Sequence, residues 1–353
     1  MRRNFVPYVL ILFGFSGYTQ EADLRFSAYV DGYYSYDFSQ PSDHQKQYVT
    51  QAARHNEFNI NLGMLKVSYD NGDVRGNVGL QTGTYPATNY AGEPTVLAQL
   101  INQANAGIRV WGKSWIDMGV LGGHFGYESV FSLRNELYTQ ALATEYTPYY
   151  QMGVQFSSQL SGSLAFRAVV VNGWQNIYET NTAKSYGIGL DYRVSESFSV
   201  SYGNYFGNEG DDLTGKKYRV HNNAYASYSG NALKSTVVVD HTQQELFTSG
   251  QRGQVLFITW INLFSISEKL GLGARYEYVS DQDNILFTTV FPGFQTQIVS
   301  ASLNYSVMKN AVLKAEGKYY FGQEDIWQGQ KGIANENVMI NVGLAVSLEK
   351  TNE

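Results

Sequence analysis

The sequence contains no cysteine and only six prolines among 353 residues. The absence of cysteine excludes a disulfide framework and the usual thiolate-ligated metal sites. Few prolines favour long strands, because proline cannot donate a hydrogen bond to a β-ladder. Beyond the N-terminal segment, no apolar run reaches the roughly 20 residues that a membrane-spanning helix requires.

Concentrated charge of one sign is also missing. The net charge is −6, and the 25 Lys and Arg residues are scattered along the chain. No basic patch for nucleic acid results from this distribution. None of the five histidines pairs with another at a spacing typical of metal ligands. We therefore expect no nucleic-acid partner, no metal site and no cofactor.

Tyrosine and glycine, by contrast, are abundant, with 28 and 35 residues. Tyrosine suits a half-buried pleated surface, and its polar hydroxyl suits a membrane interface. Residues 24–38 alternate apolar and polar side chains over a length that is unusual for a soluble sheet. One face carries Leu24, Phe26, Ala28, Val30, Gly32, Tyr34, Tyr36 and Phe38, and the other carries Arg25, Ser27, Tyr29, Asp31, Tyr33, Ser35 and Asp37. Such a strand is typical of an outer-membrane barrel, where one face meets lipid and the other a watery lumen.

Sixteen such stretches occur, and the gaps between them alternate between short and long. Asn71-Gly72 is a tight hairpin signal, whereas residues 39–56 and 124–148 form long polar gaps. A soluble sandwich has the same alternation within its strands, but its Greek-key connections are not sorted by length. The sequence therefore predicts an all-β fold: a single antiparallel transmembrane β-barrel of about 16 strands, with short periplasmic turns and long external loops.

Charged residues of these strands fall on the polar phase, with the apparent exception of Lys66. The apolar phase changes here from Phe58, Ile60 and Leu62 to Leu65, Val67 and Tyr69. A β-bulge near Gly63 would restore the pattern and turn Lys66 inward.

The N-terminus resembles a secretory signal peptide. Arg2 and Arg3 precede a short apolar stretch, residues 5–15, and the small residues Ser16 and Gly17 follow. The alternative, a membrane-anchor helix, requires a longer apolar stretch. We expect residues 1–19 to be a signal peptide and residues 20–353 to form the barrel in the bacterial outer membrane.

Several short motifs, taken in order, resemble the OmpL-like putative β-barrel porin family of Gram-negative outer membranes. They are YVDGYYSY (29–36), LQTGTYP (80–86), QANAG (103–107), GYES (126–129), PYYQMG (148–153), VNGWQN (171–176) and RYEYVSD (275–281). The resemblance covers most of the chain. It implies an outer-membrane barrel with porin activity but no particular solute.

One long gap, residues 124–148, mixes charged and aromatic side chains. By analogy with sixteen-stranded porins, in which one long loop narrows the lumen, we expect this segment and facing wall residues to form a constriction. An external, solvated loop is the alternative. The pore-lining or constriction candidates are Arg109, Asp117, Glu128, Arg134, Glu136, Arg275, Glu277, Lys314 and Glu316.

The favoured function is a porin that lets small hydrophilic solutes or ions diffuse through a water-filled lumen, since barrels of 16–18 strands leave an aqueous channel. Near-balanced wall charges predict weak ion selectivity. A structural or partner-binding barrel with a plugged lumen is the alternative. A hydrolase, which we do not expect, would require a Ser-His pair within hydrogen-bond reach. The expected partners are outer-membrane lipids and small solutes. The sequence does not decide whether the chain forms a homo-oligomer.

Overall fold

The computed structural model describes residues 23–211, 215–246, 251–289, 293–330 and 332–351. Within these ranges most of the chain forms strands, and sixteen of them close into one antiparallel barrel. In chain order the strands are β1 (Asp23–Asp37), β2 (Glu57–Asp70), β3 (Val74–Thr82), β4 (Ile101–Trp111), β5 (Ser114–Gly122), β6 (Tyr150–Gln159), β7 (Leu164–Val171), β8 (Ser185–Arg193), β9 (Phe198–Asn208), β10 (Tyr218–Ser229), β11 (Leu233–Glu245), β12 (Arg252–Ser265), β13 (Leu270–Asp281), β14 (Phe294–Met308), β15 (Ala311–Gly322), β16 (Trp327–Gly329), β17 (Gly332–Ala334) and β18 (Glu336–Thr351).

The barrel wall consists of β1 to β15 and β18, and β1 pairs with β18 to close it. Strands β16 and β17 form a small hairpin in the last loop. Four short helical segments also lie in loops: α1 (Thr84–Asn89), α2 (Val96–Gln99), the 3₁₀ turn η1 (Ser132–Arg134) and α3 (Leu142–Glu145). Among the described residues, no helix has the length and apolar character needed to cross a membrane. The predicted signal peptide, residues 1–19, lies outside the described residues.

The connections between wall strands alternate in length. The short turns are residues 71–73, 112–113, 160–163, 194–197, 230–232, 266–269 and 309–310. The long loops are residues 38–56, 83–100, 123–149, 172–184, 209–217, 246–251, 282–293 and 323–335. Because successive strands are antiparallel neighbours, all short turns lie at one end. The predicted sixteen-stranded barrel, with sorted connections, is confirmed.

Most wall strands have an apolar outer face and a polar inner face, whereas β12 turns Val255, Phe257 and Ile261 inward. In β1, Phe26 and Val30 are about half exposed on the outside, whereas Asp31 and Ser35 are fully buried inside. Side chains alternate between the two faces of a strand, so the pairing register decides for all residues of the strand which face they occupy. The barrel's outer surface is thus apolar and suited to lipid, and its charges lie in the lumen.

The predicted bulge is present in β2, two residues before Gly63. Asp31 pairs with Leu62 and Gly32 with Ile60, which leaves Asn61 as the extra residue. The side-chain amide of Asn61 donates to Asp31 Oδ2 at 3.1 Å, and its carbonyl accepts from the Ala52 N–H at 3.0 Å. Both hydrogen bonds stabilise the extra residue inside the barrel.

The bulge changes which side chains face inward. Leu62 is fully buried inside the barrel, so its expected place on the outer face with Phe58 and Ile60 was wrong. After the bulge, Lys66 points inward, and its ammonium donates to Gln103 Oε1 at 2.6 Å. The extra residue therefore explains the phase change in the sequence.

A charge on the outer face is expected to weaken the barrel. Leu65 is 68 % exposed on the outside of β2. Leu65→Arg should lower the free energy of unfolding by about 2–4 kcal/mol if the site lies near the bilayer midplane. Urea-dependent folding into phospholipid vesicles, followed by tryptophan fluorescence, measures this loss. Leu65→Met is the matched control and should be nearly neutral. An equal effect of both changes would contradict lipid contact at this face.

Candidate functional site

The long connection between β5 and β6, residues 123–149, lies inside the barrel and is called the inserted loop below. Tyr138 donates its hydroxyl to Asp31 Oδ1 at 3.0 Å on the inner face of β1. The backbone N–H of Thr139 donates to Glu316 Oε2 on β15 at 2.6 Å. These contacts hold the middle of the loop against the wall at β1 and β15.

A single guanidinium joins the inserted loop to the wall. Arg275 on β13 is 2 % exposed. It donates to Glu128 Oε1 at 3.0 Å, to the Thr139 carbonyl at 2.6 Å and to Glu277 Oε1 at 2.8 Å. A fourth contact reaches Glu316 Oε1 at 3.4 Å. The planar fork of arginine provides five N–H donors, and buried carboxylates require such partners.

A wall lysine binds the backbone of the same loop. Lys314 on β15 donates to the carbonyl oxygens of Ser132 at 2.7 Å and Leu137 at 3.2 Å, and also to that of Asn135. Irregular backbone leaves carbonyl groups without ladder partners, and burial makes an unpaired carbonyl costly. The Lys314 ammonium has three N–H donors, and these supply the hydrogen bonds that a neighbouring strand would otherwise give to the loop carbonyls.

Glycines in the wall allow the inserted loop to approach closely. A Cβ at Gly343 on β18 would lie 2.2 Å from Tyr138 Cε2, and one at Gly203 on β9 would lie 2.4 Å from Phe125 Cβ. Real Cβ atoms do not approach so closely. The absence of a side chain thus makes room for the loop on opposite sides of the barrel.

Burial shifts the pKa of two acidic groups of the inserted loop. It raises the pKa of Glu128, although the nearby Arg275 guanidinium opposes the shift. Burial likewise raises the pKa of Glu145, and hydrogen bonds from Thr50 oppose it. In the first long loop, burial lowers the pKa of the Lys46 ammonium to about 8. Glu128 is paired with Arg275, whereas Lys46 and Glu145 are enclosed by hydrogen bonds to neutral groups, so all three hold loops in place.

Apolar side chains fill the external part of the lumen on the same side. We call Tyr48, Phe287, Phe294 and Trp327 the aromatic cap. The rings of Phe287 and Phe294 stack at 3.9 Å with an interplanar angle of 6°. Tyr48 packs edge-on against Trp327 at 5.1 Å. Three different loops and β14 contribute these rings, and together they close this half of the barrel from outside.

The opposite half of the lumen is polar and keeps open space. A cavity of about 590 Å³ lies between the start of the inserted loop and strands β6 to β10. Arg167 and Asp191 form an ion pair of 2.5 Å on its wall, and Ser201 donates to the same carboxylate at 2.7 Å. Hydroxyl groups of six serines also line it: Ser163, Ser195, Ser197, Ser199, Ser227 and Ser229.

A second space of about 320 Å³ adjoins the first toward β3. Arg75 donates to Asp117 Oδ1 at 2.7 Å on its wall. Gly123 and Arg167 line both spaces. We refer to Arg75, Asp117, Arg167 and Asp191 as the channel wall.

The predicted site residues fall into separate groups. Glu128, Arg275, Glu277, Lys314 and Glu316 come together between the inserted loop and the wall. Asp117 belongs to the channel wall, and Arg109 pairs with Asp73 beside a periplasmic turn. Glu136 accepts a hydrogen bond from Tyr127 at 2.9 Å, and Arg134 faces another cavity. Their role as pore-lining or constriction residues stays a prediction.

Sequence reasoning did not select Arg75, Arg167 and Asp191 as site residues. Like the predicted site residues, they lie on the polar face of their strands. The alternation of polar and apolar residues does not show which part of the wall the inserted loop leaves uncovered. Asp191 and Arg167 meet diagonally across β7 and β8, since Arg167 is opposite Gly189 in the register. Only the register brings the two charges together.

In the part of the chain that the structure describes, no serine hydroxyl hydrogen-bonds to a histidine ring. His221 instead contacts Thr242 Oγ1 at 2.8 Å and Asp240 Oδ1 at 3.2 Å. This group is fully buried beneath the Phe125 ring, which stacks on His221 at 4.9 Å. Within the described ranges, no group of three or more His, Cys, Asp or Glu residues could hold a metal ion.

Several solved outer-membrane proteins share this barrel. OmpT of Vibrio cholerae has a TM-score of 0.63 at 9 % identity, over 94 % of this chain and 99 % of that chain. An anion-selective porin from Comamonas acidovorans has a TM-score of 0.63 at 11 % identity, over 93 % and 100 %. OmpF of Salmonella typhi, in complex with daunomycin, has a TM-score of 0.59 at 12 % identity, over 94 % and 98 %. At these identities the likeness shows the fold alone.

The sequence itself also matches a known family. A family model described as putative beta-barrel porin-2, OmpL-like, matches residues 23–348. No protein with a curated description matches the chain.

Proposed function

The chain belongs to the family described as putative beta-barrel porin-2, OmpL-like, and from this membership we propose that it is a porin for passive diffusion of small hydrophilic solutes and ions. It is an outer-membrane β-barrel with close structural likeness to porins. The observation that supports diffusion is the pair of adjoining polar spaces, of about 590 and 320 Å³, along β3 to β10.

The path we propose follows the channel wall. The inserted loop fills the other half of the lumen and thereby sets the width of the passage. Serine hydroxyls and the ion pairs Arg75–Asp117 and Arg167–Asp191 offer hydrogen bonds to a solute that loses part of its hydration shell. Selection is by size and by this mixed lumen charge, so ion selectivity is weak overall.

The nine predicted site residues take distinct roles in this proposal. Asp117 holds Arg75 at the channel wall, and Arg109 lies near the periplasmic mouth. The others act by holding or shaping the inserted loop: Glu128, Arg134, Glu136, Arg275, Glu277, Lys314 and Glu316. We propose no catalytic residue and no cofactor.

Export, membrane placement and assembly complete the proposal. Residues 1–19 serve as a signal peptide, and residues 20–353 form the barrel. Outer-membrane lipids cover its apolar outer face. A homo-oligomer is proposed because OmpT of Vibrio cholerae, which shares the fold, has a trimer form.

A plugged, structural barrel is the second candidate function. The aromatic cap supports it, because Trp327 is 1 % exposed and Phe287 and Phe294 are fully buried in the external half of the lumen. If the remaining passage is closed as well, the barrel serves as a scaffold and conducts nothing.

Blocking of a single engineered cysteine separates the two functions, since the chain has no cysteine of its own. Ser227 lines the cavity of about 590 Å³. Ser227→Cys in proteoliposomes should lose most sugar uptake after reaction with a bulky, anionic thiol reagent, because the adduct fills the passage. Ser267→Cys, in the turn of residues 266–269, is the control and should keep its uptake. Absence of uptake by the unmodified protein would favour the plugged barrel.

A further inference from the structure

A separate cavity lies beneath the inserted loop, on the periplasmic side of η1. Its volume is about 270 Å³, and its walls come from β1, β2, β18 and the loop. It lies apart from the channel wall, but Gln103 lines both this cavity and the space of about 320 Å³. The Gln103 side chain is thus a shared boundary of the two spaces.

Two cations in this cavity lack an acidic partner. The Lys66 ammonium donates to the side-chain amide oxygen of Gln103 at 2.6 Å. The Arg134 guanidinium lies 5.1 Å from the centre of the Phe131 ring. Within the described residues, neither has a carboxylate oxygen within 4.0 Å. Two like charges beside one small cavity repel each other, and this repulsion falls when an anion binds between them.

The other two charged residues that line the cavity, Arg25 and Glu349, balance each other. Arg25 pairs with Glu349 at 3.0 Å and with Asp23 at 2.9 Å. Glu349 is the acidic residue that lines the cavity. The two uncompensated positive charges thus belong to Lys66 and Arg134.

Part of the cavity wall is apolar. Tyr29 and Met64 line it and are 3 % and 8 % exposed. The partly buried Phe131 and Leu133 of the inserted loop face them. Cavities that hold drug-sized ligands usually span about 300–1,000 Å³, so this one suits a smaller molecule.

We propose that this cavity binds a small organic anion, with a carboxylate between Lys66 and Arg134 and an apolar group against Met64 and Phe131. A guanidinium matches the two oxygens of a carboxylate, and an ammonium adds a point charge. The inference rests on the proposed function, because the cavity is then a subsite beside the path of diffusing solutes. It assigns small amphipathic carboxylates as a preferred solute class.

Equilibrium binding tests this subsite without requiring conduction. We expect benzoate to bind saturably to the full-length protein in detergent, measured by isothermal titration calorimetry, and its neutral isostere benzamide not to bind. Lys66→Gln and Arg134→Gln should each weaken benzoate binding by about tenfold or more, since each removes a charged hydrogen bond. Arg54→Gln removes an external Arg–Glu pair instead and should leave binding unchanged.

Two other results would overturn the subsite. One is equal binding of benzoate and benzamide, which makes the charge irrelevant. The other is unchanged benzoate affinity in both variants, with heat-dependent gel mobility confirming folded barrels. Failure of the proposed function has a different signature, namely benzoate binding by a protein that shows no solute uptake.

Discussion

Arg275→Ala is expected to release the inserted loop, to destabilise the barrel and to enlarge the pore. The change removes a cation shared by three buried carboxylates, Glu128, Glu277 and Glu316. Glu277 keeps a second cation, Lys318, at 3.6 Å. Loss of one partner from a buried ion pair typically costs about 3–5 kcal/mol. Movement of the loop into water relieves that cost, because Glu128 leaves the wall with it and the wall carboxylates become hydrated.

Three measurements test whether the inserted loop is released. The free energy of unfolding in urea should fall, single-channel conductance should rise, and protease should cleave the barrel within residues 123–149. Arg54→Ala is the control, since it breaks a partly exposed ion pair with Glu57 outside the inserted loop, and surface pairs contribute about 0–1 kcal/mol. A folded Arg275→Ala variant with unchanged conductance and protease resistance would contradict the anchoring role.

Gly343→Leu is expected to push the inserted loop away from β18. A side chain at this position would overlap the Tyr138 ring, because a Cβ at residue 343 would lie only 2.2 Å from Tyr138 Cε2. Overpacking typically costs about 1–3 kcal/mol. The expected outcome is lower stability together with higher conductance, because Tyr138 must leave its hydrogen bond with Asp31.

A glycine on the neighbouring strand provides the matched control. A Cβ at Gly317 on β15 meets no atom within 4 Å, so Gly317→Leu should leave conductance unchanged. The second change Tyr138→Ala should restore stability to Gly343→Leu by making room for the leucine. If Gly343→Leu and Gly317→Leu behave alike, the close approach at Gly343 does not position the loop.

Much of the fold could be predicted from the sequence because a transmembrane strand must satisfy two different solvents. Lipid on one side and a polar lumen on the other impose the period of two over residues 24–38, and the sorted gaps set the connectivity. Lys66 even indicated the bulge. The exact extra residue, Asn61, was not predictable, because it depends on hydrogen bonds to Asp31 and Ala52 from other parts of the chain.

The site was less predictable than the fold. Arg275, Glu277 and Glu316 look like pore-lining charges in the sequence, yet the structure buries them beneath the inserted loop. The alternation of residues along a strand determines which charged side chains point inward. Whether such a side chain is buried depends on where a loop packs against the wall. Arg167 and Asp191 have the same phase and remain beside open space. Long-range contacts therefore decide which inward charges meet water.

Planar-bilayer recording of the wild-type protein tests the central claim most directly, that the barrel conducts along the half of its lumen that the inserted loop leaves open. We predict discrete current steps from single folded barrels, with weak ion selectivity under a salt gradient. Barrels that insert and resist heat-dependent unfolding on gels, but show no current above that of the lipid alone, would contradict the claim.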